Sequence, residues 1–121
     1  MKKWLLKILV QAFNESNIIT AELSYYISEE VSFKNKLRSI TDDIEFRLEK
    51  LNNLDKSREL LIQKNSNNLS KDSLYKINQI EKEIHINRNE LEYLNFLRIK
   101  YQKRLENNNM SQKEFRENHL K

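Results

Sequence analysis

Three residue types that usually shape loops and active sites are missing from this 121-residue chain, which contains no glycine, no proline and no cysteine. Without glycine there is no Walker loop, dinucleotide-binding fingerprint or nucleophile elbow, because each depends on backbone conformations that favour glycine. Without cysteine there is no disulfide scaffold, thiolate metal site or cysteine nucleophile. These absences argue against an enzyme and predict a protein without cofactor, metal or small-molecule substrate.

What the chain does contain is charge and regularly spaced apolar residues. Charged residues make up 33% and hydrophobic residues 38%, a composition typical of long helices and coiled coils. The net charge of +4 is too mild to favour nucleic acid as the main partner. The opening sequence MKKWLLKILV is similar to the basic and apolar regions of a signal peptide. However, Lys7 interrupts its apolar run, and no cleavage site of small residues follows. No apolar run reaches the ~18 residues of a membrane span, so a cytoplasmic protein is predicted.

Two interleaved rows of mostly apolar residues repeat every seven positions in the first half of the chain. Spacing of alternately three and four residues between the rows is typical of a coiled coil. It predicts a first helix over 1–63, either continuous or broken near 14–17. The rows are Leu5, Ala12, Ile19, Tyr26, Phe33, Ile40, Arg47, Leu54 and Leu61, and Leu9, Ser16, Leu23, Glu30, Leu37, Ile44, Leu51 and Arg58.

The segment 64–70, rich in asparagine and serine, predicts the turn between two helices. Ser70 is a suitable N-cap, Asp72 falls in the first turn, and Leu69 and Leu74 occupy the positions of a hydrophobic staple.

A second heptad series predicts a second helix over 71–106, and the asparagines at 107–109 predict its end. Ser111 and Glu114 form a capping box that predicts a short terminal helix over 111–120. The series runs through Leu74, Ile77, Ile80, Ile84, Asn87, Leu91, Leu94, Arg98, Tyr101 and Leu105.

An antiparallel hairpin pairs residues whose numbers have a constant sum, and the two series satisfy this condition with a sum of 134 or 135. The pairing places Phe33 beside Tyr101 and Arg47 beside Asn87. Arg47 can donate to the Asn87 amide oxygen, which predicts a polar layer that fixes the register. The predicted fold is therefore all-α: an antiparallel two-helix coiled-coil hairpin that forms a single domain over 1–121.

The same pairing leaves residues 1–13 without a partner, as an apolar N-terminal helical extension. Leaving this stretch in water costs several kcal/mol at about 25 cal/mol per Å², so it either folds back, self-associates or binds a partner. We predict that it binds a protein. The predicted contact residues are Trp4, Leu5, Ile8, Leu9 and Phe13, called here the N-terminal apolar face.

A cluster of four cations in the second helix has two interpretations. Arg98, Lys100, Lys103 and Arg104 could bind phosphates, or Glu29 and Glu30 of the first helix could neutralise part of the cluster. The pairing places the acids opposite Lys103 and Arg104, so we expect neutralisation. Nearby aromatic residues are expected to form a core layer rather than a base-stacking platform: Tyr25, Tyr26, Phe33, Tyr93, Phe96 and Tyr101.

The segment Leu69-Ser70-Lys71-Asp72-Ser73-Leu74-Tyr75, followed by the heptads that end at Leu105, resembles the FliJ-like stalk proteins of type III export machines, called SctO in injectisomes. The resemblance covers residues 65–105. It implies that the end carrying both termini sits in the central hole of a hexameric export ATPase and that the rest reaches towards the export gate. The start of this chain differs from that of such stalk proteins, which begin with charged heptads, because residues 4–13 here are mainly apolar.

Other functions fit the same pattern. The runner-up is a secretion chaperone or adaptor that binds one cognate protein by helix-in-groove packing. A homo-oligomeric bundle would cover two N-terminal extensions with each other. Peripheral membrane contact is a further alternative, since Lys2, Lys3 and Lys7 flank an apolar face that contains Trp4.

Overall fold

The computed structural model describes residues 3–65 and 70–119 and consists of two long helices that pack against each other. Helix α1 spans Lys3–Lys64 and helix α2 spans Lys71–His119. No strand occurs within the described ranges. The prediction of an all-α helical hairpin from the heptad spacing is therefore confirmed.

Helix α1 continues through 14–17, so the alternative of a broken first helix is not observed. Two side-chain hydrogen bonds that span one helical turn each begin or end in this stretch. Gln11 Nε2 donates to Glu15 Oε1 at 3.4 Å, and the Thr20 hydroxyl donates to the Ser16 carbonyl at 2.9 Å. Asparagine carries only a modest helix penalty at exposed positions. The exposed residues Asn14 and Asn17 therefore do not end α1.

The start of α2 has the predicted N-cap. The Ser70 hydroxyl accepts the Ser73 backbone N–H at 3.1 Å, and the Ser70 carbonyl accepts the Leu74 N–H at 3.0 Å. Asp72 lies in the first turn, where a negative charge suits the exposed amides. The predicted staple involves Leu69, which lies outside the described residues.

The end of α2 differs from the expected boundary and corrects it. The helix passes through 107–109 without interruption, so there is no separate helix over 111–120, and Leu120 lies outside the described residues. The physical reason is that Asn108 and Gln112 are buried and direct their amides at α1. Their side chains hydrogen-bond across the helix pair instead of capping a helix end.

The chain divides into two compact units. The first contains the described residues of α1 up to Lys36 and those of α2 from Tyr101, and the second is Leu37–Lys100. The buried residues of the second unit lie on the predicted rows: Ile40, Ile44, Ile77, Ile84, Asn87 and Leu94. Two members of the second series in this unit, Leu74 and Arg98, are exposed instead, and the residue before each of them is half-buried.

Candidate protein-binding surface

The N-terminal apolar face is exposed to solvent along its whole described length. Trp4 is 59% exposed, Leu9 54% and Phe13 67%. Every described residue from Lys3 to Ile18 is exposed, and Ile19 is the first half-buried residue of α1. The uncovered stretch is therefore five residues longer than the sequence pairing predicts.

The heptad row that starts at Leu5 shows where the exposed surface ends. Its later members in the first unit, Ile19, Tyr26 and Phe33, are half-buried. The earlier members Leu5 and Ala12 are exposed, although they occupy the same positions of the repeat. The pattern that buries residues further along α1 thus continues into a stretch where the described part of the chain supplies no partner.

The apolar surface of this stretch is wide. Successive residues of a helix are about 100° apart, so the apolar residues between Trp4 and Phe13 cover roughly 240° of its circumference. The remaining arc carries Lys3, Lys7, Gln11 and Asn14. Because the two-row contact of a coiled coil covers a narrower stripe, a single partner helix would leave part of this surface in water.

A second group of residues, not predicted from the sequence, connects the helices in the first unit. Asn108 Nδ2 donates to the Tyr26 carbonyl at 3.1 Å and lies 3.4 Å from Glu29 Oε1. Gln112 Nε2 donates to Asn108 Oδ1 at 2.7 Å and to Glu30 Oε2 at 3.0 Å. The signal that could have identified them is the heptad itself, which continues beyond Leu105 to positions 108, 112 and 115.

These contacts shift two proton equilibria. The hydrogen bond from Gln112, followed by the one from Lys34, lowers the pKa of Glu30 below its ordinary value. The Lys34 ammonium lies 3.1 Å from Glu30 Oε1. The hydrogen bond between Tyr25 and Glu29, reinforced by the carboxylate charge, raises the pKa of Tyr25. Both shifts have a hydrogen bond as their largest cause. The bond at Tyr25 joins neighbouring turns of α1, and the bond from Gln112 to Glu30 joins α2 to α1.

The aromatic residues only partly form the expected core layer. Tyr26 packs on buried Phe115 with ring centroids 5.9 Å apart, and Phe33 packs on Tyr101 at 6.2 Å. The other three predicted members, Tyr25, Tyr93 and Phe96, are exposed.

In the second unit, the structure brings Arg47 and Asn87 together. Arg47 Nη1 donates to Asn87 Oδ1 at 2.8 Å, and Asn87 Nδ2 donates to the Glu83 carbonyl at 2.7 Å. Asn87 is only 2% exposed, so its amide has exchanged water for these two bonds. The contact itself is the one that the pairing predicted, and its role in fixing the register remains a hypothesis.

The expected neutralisation of the basic cluster is not observed. Within residues 3–65 and 70–119, neither Lys103 nor Arg104 lies within ion-pair distance of Glu29 or Glu30. The reason is that Glu30 accepts from Lys34 and Gln112, while Glu29 faces Asn108. Both carboxylates therefore face hydrogen-bond donors that lie nearer to them than Lys103 and Arg104.

The described residues contain no group of three or more His, Asp or Glu side chains that could hold a metal ion. None of the helices in the described ranges has the length and apolar character needed to cross a bilayer. Comparison of the chain with protein-family models, with curated proteins and with solved structures finds no match.

Proposed function

We propose that this chain is a non-enzymatic, cytoplasmic coiled-coil interaction protein that binds a protein partner through the N-terminal apolar face. The observation that carries the proposal is the uncovered stretch of α1 before Ile19, with its wide apolar surface. Burying such a surface is favourable by about 25 cal/mol per Å², and exposed apolar patches of this kind mark interaction sites. The rest of the hairpin would then act as a helical extension that presents this face.

In its specific form, the proposal is that the chain is a stalk component of a type III secretion ATPase complex. Support comes from the resemblance of residues 65–105 to FliJ-like proteins and from the hairpin of two long helices. The partners would be a hexameric export ATPase, contacted at the end that carries the N-terminal apolar face, and an export gate. Such a role is mechanical and needs no catalytic residue in this chain.

The experiment that tests the proposal is reconstitution with the export ATPase of the same host, using the full chain and a triple variant, Leu5→Ser/Ile8→Ser/Leu9→Ser. The full chain is expected to form a stoichiometric complex and to stimulate ATP hydrolysis, and the triple variant to lose both. A matched control replaces three exposed apolar residues elsewhere on α1, as Phe46→Ser/Leu48→Ser/Leu60→Ser, and is expected to retain binding. Unchanged binding by the triple variant would overturn the proposal.

The second candidate is a secretion chaperone or adaptor that inserts its N-terminal helix into the groove of one cognate protein. The observation that favours it is the width of the apolar arc, because a groove contacts more of a helix than one partner helix does. A stoichiometric complex with a secreted protein, formed without any stimulation of an ATPase, would support this candidate over the stalk.

Three alternative functions can each be tested by a single measurement. Sedimentation would reveal a homo-oligomer that covers the N-terminal apolar face with a second copy. Flotation with anionic vesicles would reveal peripheral membrane contact. A salt-dependent shift of labelled DNA or RNA would reveal nucleic-acid binding, which the mild net charge disfavours.

A further inference from the structure

Two cations from different helices share one aromatic ring in the first unit. Lys36 Nζ of α1 lies 5.0 Å from the centroid of the Tyr101 ring, and Arg104 Cζ of α2 lies 5.4 Å from it. The ring itself is half-buried and packs on Phe33. Cation–π contacts of this kind restrict long side chains that would otherwise sample many rotamers. Lys36 and Arg104 are called here the Tyr101 cation pair.

Among the described residues, the Tyr101 cation pair has no acidic partner within ion-pair distance. In the part of the chain that the structure describes, neither Lys36 nor Arg104 has a carboxylate within 4.0 Å. In this unit, residues 31–36 of α1 and 101–105 of α2 include no Asp or Glu. Two like charges held against one ring repel each other, and a bound anion would relieve that repulsion. Within the described residues, the two cations therefore form no ion pair, although Glu29 lies near Arg104.

A shallow groove with a partly polar lining lies beside Arg104. Asn107 and Ser111 of α2 line it together with Tyr26 and Glu29 of α1. The amide and the hydroxyl can donate hydrogen bonds to an anion that Arg104 holds. Glu29 lines the same groove and faces Asn108. Its charge would repel any anion that approached it, so a bound carboxylate would have to contact Arg104, Asn107 and Ser111 instead.

We propose that the Tyr101 cation pair and this groove form a second interaction surface, which binds an acidic segment of a protein through its carboxylates. The surface lies apart from the N-terminal apolar face in sequence and chemistry, so the proposal does not depend on the function assigned to that face. Nucleic acid fits less well, because Tyr101 is already packed between Phe33 and the cations and offers no free ring for stacking a base.

The test is a titration of the ¹⁵N-labelled full chain with a synthetic glutamate-rich peptide, followed by amide chemical shifts. The signals of Lys36, Tyr101 and Arg104 are expected to shift, and the affinity is expected to fall as salt is raised. Lys36→Gln/Arg104→Gln is expected to weaken binding roughly five- to tenfold, because two charge contacts are lost. Arg104→Lys keeps the charge and is expected to retain most of the affinity.

The matched control is Lys50→Gln/Lys56→Gln, which removes the same charge from two exposed positions of α1 in the second unit. It is expected to leave binding unchanged. If the double variant of the pair lost its helical circular dichroism, the exposed Lys36→Gln variant alone would decide.

Three results would overturn the proposal. The first is equal weakening by the control, which would mean nonspecific attraction to surface cations. The second is equal shifts at the same residues with inorganic phosphate, which would mean a general anion site. The third is tighter binding of duplex DNA than of the peptide at the same residues.

Discussion

At the scale of single residues, Asn87 is the buried polar side chain with the clearest energetic role. It is 2% exposed and joins Arg47 to the Glu83 carbonyl. Asn87→Ala is expected to lower the free energy of unfolding by about 1–3 kcal/mol, because it leaves a half-buried guanidinium without its acceptor. Urea unfolding measures this. Asn89→Ala, at an exposed position of the same helix, is the matched control and is expected to change stability by less than about 0.5 kcal/mol.

A double variant separates stability from register at the same layer. Arg47→Leu/Asn87→Leu is expected to be as stable as the parent or more stable, since both partners of a polar pair are replaced by apolar groups. Equal destabilisation by Asn87→Ala and Asn89→Ala would contradict the energetic argument. Loss of a single well-resolved amide spectrum in the double variant would support the register hypothesis.

The lowered pKa of Glu30 predicts how one contact responds to acid. Its folded pKa lies below the ordinary value of 4.5, so its stabilisation is complete above that value and is lost as the pH falls through the folded pKa. Glu30→Gln is therefore expected to flatten the loss of stability as the pH falls below about 4.5. Unfolding by urea across this range measures it. Glu49→Gln, an exposed position, should leave the slope unchanged, and a slope also unchanged in Glu30→Gln would refute the assignment.

At the scale of helices, the buried amides of Asn108 and Gln112 account for the continuation of α2. Asn108→Ala is expected to cost about 1–2 kcal/mol, because Gln112 and the Tyr26 carbonyl each lose a partner. Hydrogen exchange should accelerate in the amides of 109–119 in particular. Asn107→Ala and Asn109→Ala replace exposed neighbours and are expected to be neutral or slightly stabilising, since alanine is the better helix former. Similar exchange rates in all three variants would contradict this explanation.

The two helices and the contact between Arg47 and Asn87 could be predicted from the sequence, because heptad spacing and a constant pairing sum are properties of residue order alone. The end of α2 could not, since three consecutive asparagines have the local chemistry of a helix end. An asparagine can cap a helix end, or it can lie buried within a helix and hydrogen-bond to a neighbouring helix. Which of the two occurs depends on the residues that the opposite helix places beside it. For the same reason, the sequence pairing wrongly predicts contacts of Glu29 and Glu30 with Lys103 and Arg104, because it does not show that Asn108, Gln112 and Lys34 lie closer.

At the scale of the whole molecule, the position of the uncovered stretch could be predicted but its occupant could not. The pairing sum predicts a stretch of the first helix without a partner, and in the structure all described residues up to Ile18 are exposed. What covers an apolar face, however, depends on the shape and charge of another molecule. Arg104 was visible in the sequence as part of a basic cluster, whereas its place beside Lys36 on the Tyr101 ring required side-chain positions.

The last prediction asks whether the N-terminal apolar face contributes to the fold or only to binding. Leu5→Ser/Ile8→Ser/Leu9→Ser is expected to lower the free energy of unfolding by no more than about 1 kcal/mol, which reflects the lower helix propensity of serine. Truncating a single packed core residue costs about 2–5 kcal/mol, so Leu94→Ala, at a buried position, provides the contrast. Urea unfolding compares the two, and sedimentation of the parent and the triple variant shows whether the face also drives self-association. A loss above about 4 kcal/mol in the triple variant would mean that these side chains pack within the folded chain, and the face would then be unavailable to a partner.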